Sequence, residues 1–269
     1  MDKFSVLMST YLNDDPYNLH LSMSSLCEQS VKPNEVLLVI DGPIPDENRA
    51  ILQSFVERLN IKFVQLPNNV GLSNALRIGL EKCNYELVAR FDTDDICEST
   101  RFEEQLKVFN LGNIDICGSF AEVIDETGVP LGELIVPSSH YDIRKLIWSC
   151  PLIHPSVMYR KSKILKIGSY KKNINYRQED YELWIRAMDD NLIFFNIEKK
   201  LIKYRKPHGY YKRNGMSIGI NRFKIGVYPW MKYDKRLLSL LALIYPIVRP
   251  ILSVSIIEFI TKKFDPRRR

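Results

Sequence analysis

The sequence has no Cys-x-x-Cys pair. Its five cysteines, Cys27, Cys83, Cys97, Cys117 and Cys150, are odd in number and widely spaced. That argues against a paired-cysteine zinc site and a disulfide framework, and predicts reduced thiols in a cytosolic setting. The opening lacks the pattern of a secretion signal. One Asp and one Lys precede a strand-like run from Phe4 to Met8. Residues 8–16, MSTYLNDDP, hold no Gly, Lys or Arg. This argues against an early Gly-rich, basic phosphate loop, the feature expected of a nucleotidyltransferase. Internal repeats and low-complexity segments are also absent. Acidic residues become scarce late in the chain. Residues 199–269 carry 18 Lys+Arg and three Asp+Glu, a net of +15, whereas residues 1–198 carry 20 and 29, a net of −9.

Such asymmetry points to an anionic partner, either a membrane surface or nucleic acid. The tail favours membrane. Leu237 to Ile260 is mostly apolar and lies between Lys232, Lys235 and Arg236 on one side and Lys262, Lys263 and Arg267 to Arg269 on the other. Its length is near the ~20 residues that cross hydrocarbon. Pro246, Arg249, Pro250 and Glu258 interrupt it, and basic clusters at both ends disfavour a single span. A helix pair lying in the interface, with cations reaching anionic headgroups, is the expectation. A true span and a buried helical hairpin are the alternatives. Nucleic acid is disfavoured, because the tail's centre is greasy and lacks basic–aromatic interleaving.

The 45% hydrophobic content over 269 residues supports a full α/β core. The first ~120 residues alternate strand-like and helix-like segments, as a parallel sheet with helices on its faces requires. Strands are expected at Phe4–Ser9, Glu35–Ile40, Ile61–Gln65 and Tyr85–Phe91. Helices are expected at Tyr17–Gln29, Asp46–Leu59 and Gly71–Cys83. Strand ends then present Thr10, Asp41, Asn68/Asn69 and Asp92, where open α/β sheets hold ligands. The second half mixes strand candidates (Asp115–Asp125, Leu131–Val136, Val157–Tyr159, Ile193–Asn196) with a helix at Tyr181–Asp189.

The densest chemistry lies in Arg90-Phe91-Asp92-Thr93-Asp94-Asp95. Three carboxylates within four residues repel one another unless a cation sits between them. Hard divalent ions such as Mg²⁺ and Mn²⁺ take carboxylate oxygens together with substrate phosphates. The plain alternative is an acidic turn capping the helix near Ser99–Phe109.

Together these elements resemble the family 2 glycosyltransferases of GT-A fold, over roughly residues 3–215. Val6-Leu7-Met8-Ser9-Thr10-Tyr11 resembles the first strand and loop, Asp41 the acid after the second strand, and Asn69-Val70-Gly71-Leu72-Ser73 the loop after the third. Asp92-Thr93-Asp94-Asp95 resembles the DxD-type metal motif in a DxDD form, and Glu179-Asp180-Tyr181-Glu182-Leu183-Trp184 the ED motif. One departure is Ala75-Leu76-Arg77, where many members carry Ala-Arg-Asn. The shift turns the arginine by about 100° around the helix, so Arg77 is not assigned a phosphate contact.

The resemblance implies a nucleotide-sugar half (1–97), an acceptor half (98–215) and a membrane-associating tail (216–269). It implies Mn²⁺ or Mg²⁺ on Asp92 and Asp94, nucleotide-sugar contacts from Thr10, Tyr11, Asp41, Asn69, Asp92 and Asp94, and Asp180 as catalytic base. The plain reading of Asp180 is a helix cap, and of Asp41 a turn residue. Asp95 stands either behind the metal ligands or toward the acceptor, and Glu179 raises or orients Asp180. His154, in a His-Pro-Ser element, and Arg205 and His208, in a late basic loop, are candidates for acceptor or diphosphate contact. Trp184 and Trp148 are candidates to stack on sugar, with core packing as the alternative. The implied reaction is inverting transfer of Glc or Gal from a UDP-sugar to a polyprenyl-diphosphate-linked GlcNAc. A β-1,3 linkage would be made during O-antigen or capsule synthesis, by an enzyme peripheral to the cytoplasmic face of a bacterial inner membrane. A nucleotidyltransferase and a non-catalytic membrane-binding module are the alternatives.

Overall fold

A computed structural model describes residues 2–172, 178–206 and 215–260, other than 254 and 258. The chain opens as β1 (Phe4–Thr10), α1 (Pro16–Cys27), β2 (Glu35–Ile40), α2 (Asp46–Ser54), α3 (Val56–Leu59), β3 (Ile61–Gln65), α4 (Leu72–Lys82) and β4 (Leu87–Arg90). Strands β2 and β4 are buried throughout and β1 nearly so, as strands covered by helices on both faces must be. They pair in parallel in the order β3-β2-β1-β4. Leu19, Leu52 and Phe102 pack on one face of the sheet, and Leu76, Ile143 and Leu183 on the other.

The chain continues as β5 (Ile96–Cys97), α5 (Arg101–Asn110), β6 (Ile116–Ile124), β7 (Pro130–Leu134), α6 (His140–Leu146), β8 (Met158–Arg160), α7 (Lys161–Lys166), α8 (Glu179–Asp189) and β9 (Phe194–Arg205). Strand β8 adds antiparallel to β4, and β6, β9 and β5 follow it, with β7 on β6. Helices α9 (Met216–Tyr233) and α10 (Leu237–Val248) follow, with a 3-10 turn at Arg249–Ile251 after them.

Three elements depart from the sequence expectation. The helix expected over 46–59 breaks at Phe55, which is buried. The short strand expected at 193–196 runs on to Arg205. Glu198, Lys199 and Lys200 form a charged run within it; Lys199 and Lys200 pair with Glu104 and Glu133, and the register with β6 shifts there. The tail pair is formed by α9 with α10 rather than within 237–260. A glycine at 219 lets the helices close, its Cα facing the Pro246 carbonyl.

One buried carboxylate ties the first three strands together. Glu35 on β2 accepts from Ser5 Oγ at 2.7 Å, Lys62 Nζ at 2.8 Å, the Asn84 amide at 2.6 Å and Asn84 Nδ2 at 2.5 Å. Burial pushes its pKa up, but these donors outweigh burial and hold it below the usual carboxylate range. Removing it leaves several donors unpaired. Glu35→Ala is expected to cost about 2–3 kcal/mol and to lower the thermal midpoint by several degrees. An unchanged midpoint in thermal denaturation would contradict this.

Candidate active site

The carboxyl ends of β1, β2 and β4 lie side by side. The Asp41 amide donates to the Thr10 carbonyl at 2.8 Å, and the Phe91 amide to the Leu7 carbonyl at 3.1 Å. Thr10 is buried, while Tyr11 and Asn69 are exposed at the rim. Asp41 is more than a turn residue. Its carboxylate accepts the Val70 and Gly71 amides at 2.7 and 3.0 Å, and its carbonyl accepts Asn69 Nδ2 at 3.3 Å. It thereby fixes the loop that enters α4, where Gly71 takes the left-handed φ of 84°. Arg77 pairs with Glu81 on α4 at 3.0 Å.

The acidic loop follows β4 directly. Oxygens of Asp92, Asp94 and Asp95 lie within 4.8 Å of one another, close to the ~4.2 Å across an ion with ~2.1 Å bonds. The group fits a hard divalent cation. It does not cap α5, whose N-cap is Thr100 and begins later. Arg90, only 2% exposed, pairs with Asp92. Thr93 Oγ1 donates to Asp14 Oδ2 at 2.7 Å, and Ser22 Oγ to the Asp92 carbonyl at 3.0 Å. Arg205 secures the loop from behind. Its amide donates to Asp95 Oδ1 at 2.8 Å, and its guanidinium to the carbonyls of Asp94, Asp125 and Glu126.

Crowding shows in the acidities. Asp94 is open to solvent yet closely ringed by protein. That surrounding, with the charges of Asp92 and Asp14, pushes its pKa up to about 7. Burial first, then Asp94 and Asp92, raises Asp95 well above the carboxylate range. Burial also raises Asp14.

A second acidic pair opens α8. Gln178 is the N-cap residue and makes no side-chain capping bond, so neither Glu179 nor Asp180 is the cap. Glu179 is buried, and burial with the Asp180 charge pushes its pKa up to about 7. Asp180 is half-buried and accepts Cys150 Sγ at 3.6 Å. Burial raises its pKa, opposed by the Tyr181 amide, Arg222 and Arg90. His154 Nε2 lies 3.0 Å from Tyr170 Oη, and burial beside the Arg90 charge keeps the ring neutral. Arg90 therefore acts electrostatically on the metal-type cluster, on Glu179 and Asp180, and on His154 and Tyr170.

Several expectations are revised. Trp184 is fully buried, edge-on to His154 at 6.0 Å, and Trp148 is 2% exposed. Both are core residues, with no face open to a sugar. His154 is buried against Tyr170 and Trp184, and Arg205 braces the acidic loop. His208 lies outside the described residues. Arg90, Asp14, Cys150 and Arg222 were not picked out as site residues from sequence. The one available signal was a cation, Arg90, closing an otherwise apolar strand.

Residues 5–168 match the family described as Glycosyl transferase family 2. The chain belongs to that family. It is therefore an enzyme, a glycosyltransferase of the hexosyl-transferring kind. It is 37% identical over 205 residues to the amylovoran biosynthesis glycosyltransferase AmsE of Erwinia amylovora, covering 75% of this chain and 76% of that one. It is 34% identical over 215 residues to the UDP-Gal:alpha-D-GlcNAc-diphosphoundecaprenol beta-1,3-galactosyltransferase of Escherichia coli, covering 79% and 78%. Among solved structures, S. aureus TarS 1–349 in complex with UDP superposes with a TM-score of 0.67 at 17% identity. That match covers 97% of this chain and 75% of TarS 1–349; in another TarS structure the chain spans 46% of the molecule. The fold is the mixed α/β arrangement of GT-A glycosyltransferases.

The raised carboxyls give a signed prediction. A carboxyl whose pKa is higher folded than unfolded contributes stability at low pH that is lost as pH rises through the folded value. For Asp94 that loss begins in the ordinary carboxylate range, about pH 4, and is complete near pH 7. His140 and His154, kept neutral by burial, act in the opposite direction below about pH 6.5. The informative quantity is thus the difference between Asp94→Asn and wild type, both metal-free. The variant is expected to melt about 2–4 °C higher at pH 8, with the difference closing toward about pH 4. Equal midpoints at pH 8 would refute the crowding.

Proposed function

We propose that the enzyme transfers a hexose, Glc or Gal, from a UDP-sugar to a lipid-diphosphate-linked GlcNAc with inversion, forming a β-1,3 bond in surface-polysaccharide synthesis. The observation that carries this reading is the gathering of two acidic sets, Asp92/Asp94/Asp95 and Glu179/Asp180, around the buried Arg90. Two tasks need two sets: one holds the leaving diphosphate, the other removes a proton. The Escherichia coli relative, named for galactose transfer to such an acceptor, supports the choice of substrates. The family assignment removes the nucleotidyltransferase and non-catalytic readings.

In this mechanism Thr10, Tyr11, Asp41 and Asn69 hold the nucleoside, with Asp41 setting the loop it rests on. Asp92 and Asp94 would hold Mn²⁺ or Mg²⁺, which supplies charge neutralisation at the diphosphate. Asp180 accepts the proton of the acceptor hydroxyl as its oxygen bonds to the anomeric carbon and the bond to UDP breaks. Burial raises the basicity of Asp180, while the Tyr181 amide, Arg222 and Arg90 favour its charged form. Asp180→Asn is expected to lower turnover by about 10²–10⁴-fold with UDP affinity within about twofold of wild type. Asp94→Ala is expected to abolish Mn²⁺-dependent UDP binding in calorimetry. Near-normal turnover of the first variant, or metal-dependent UDP binding by the second, would remove the corresponding role.

The tail supports a peripheral site at the cytoplasmic face of the inner membrane. Among the described residues, no helix is long and apolar enough to cross a membrane. Leu237 and Leu238 are 70% and 78% exposed, and Leu241, Ile251 and Phe259 are also exposed, beside a strongly basic sequence. Such a surface suits anionic headgroups over hydrocarbon. Binding to phosphatidylglycerol-containing vesicles is expected to weaken with salt and to fall at least tenfold in a Leu237→Glu/Leu238→Glu double variant. Equal sedimentation of that variant would contradict the assignment.

A further inference from the structure

Helix α9 is also part of the wall behind Asp180. It lies along α8 for most of that helix's length. At one end Lys232 Nζ and Tyr233 Oη meet Asp189 Oδ1 at 2.7 and 2.6 Å. Midway, Gly226 leaves room for Tyr181 Oη, which donates to the Trp148 carbonyl. At the other end Arg222 donates to the Ser149 carbonyl, and its guanidinium stands 5.1 Å over the Tyr181 ring. The next residue, Cys150, takes a left-handed φ of 57°, a conformation that a side-chain-bearing residue adopts only when its surroundings hold it. That conformation brings its thiol 3.6 Å from Asp180 Oδ2.

We propose that Arg222 is a positioning residue for Asp180: from the tail helix it clamps the Ser149–Cys150 turn and presents its charge to the base. This rests on the reading of Asp180 given above. It makes the tail part of the catalytic apparatus as well as an anchor. Arg222 does not touch the reacting atoms; it acts through the turn and through its field. Among the described residues, the charged and titratable groups facing Asp180 are Glu179 and Tyr181 on α8, Arg222 on α9, Arg90 on β4, Cys150 on the turn, and Tyr170 after α7. Arg222 and Arg90 are the two cations among them, and Arg222 is the one carried by the tail.

The test uses the full chain with Arg222→Gln, Arg222→Met (which keeps the stem over Tyr181) and Arg222→Lys. Three quantities are measured: the pH profile of kcat, UDP affinity by calorimetry, and the ¹³C titration of the Asp180 carboxyl. Both neutral variants are expected to lose about tenfold in kcat near pH 7. Their acid limb and carboxyl titration should move up by about one unit, with UDP affinity within about twofold. Arg222→Lys should restore the titration and most of kcat. A carboxyl titration in either folded neutral variant that coincides with wild type overturns the proposal, even where kcat has fallen. The NMR titration needs no turnover. A wild type that transfers no sugar would defeat the base assignment, while the carboxyl titration still decides whether Arg222 acts on Asp180.

Discussion

A fully buried guanidinium is the constraint around which this site is arranged. Arg90 ends a central strand with almost no exposure, and burying an uncompensated charge costs several kcal/mol. Its compensation comes from both sides. Asp92 pairs with it directly, and the fields of Asp94, Asp95, Glu179 and Asp180 reach it. The cation in turn limits the repulsion among carboxylates that burial has already made weak acids. Remove the positive charge, and the two acidic sets face each other with no cation between them. With it in place, a metal-type cluster and a candidate base stand close while remaining chemically distinct.

Much of the first half was legible in the sequence because its information is local. β1, β2 and β4 are apolar runs bounded by turn residues, and each ends on a polar group at the sheet's carboxyl edge. The acidic loop was legible for the same reason, since three carboxylates in four residues conflict whatever the fold. β9 was not. Its Glu198-Lys199-Lys200 stretch is charged and lies beyond the expected strand end at Asn196, and it pairs with β6 and with Glu104 and Glu133. Helix α9 contains Gly219, Gly226 and Pro229 and takes its partner faces from α8 and α10, so periodicity had little to report. Arg90 lay inside the motif, yet its significance depends on residues 60 to 90 positions later. Trp184 illustrates the converse. An aromatic beside a catalytic motif suggests sugar stacking, but the helix turns it into the core.

The position of α9 revises the division of the chain into a catalytic body and an appended anchor. The helix that pairs with apolar α10 also packs on α8, from Asp189 back to Tyr181. The proposed lipid-facing surface and the helix that carries the proposed base would then share one element. An acceptor held in a membrane and a base held by the membrane-facing helix would thus be brought into register by the same surface.

The most direct measurement of the central claim is product stereochemistry. The enzyme is incubated with Mn²⁺, a synthetic GlcNAc-diphosphate lipid, and UDP-Glc or UDP-Gal in turn, and the new linkage is read by NMR. The account predicts one hexose added through a β-1,3 bond, because a single base on the acceptor side enforces inversion. An α-linked product, or no transfer from either donor, would contradict it.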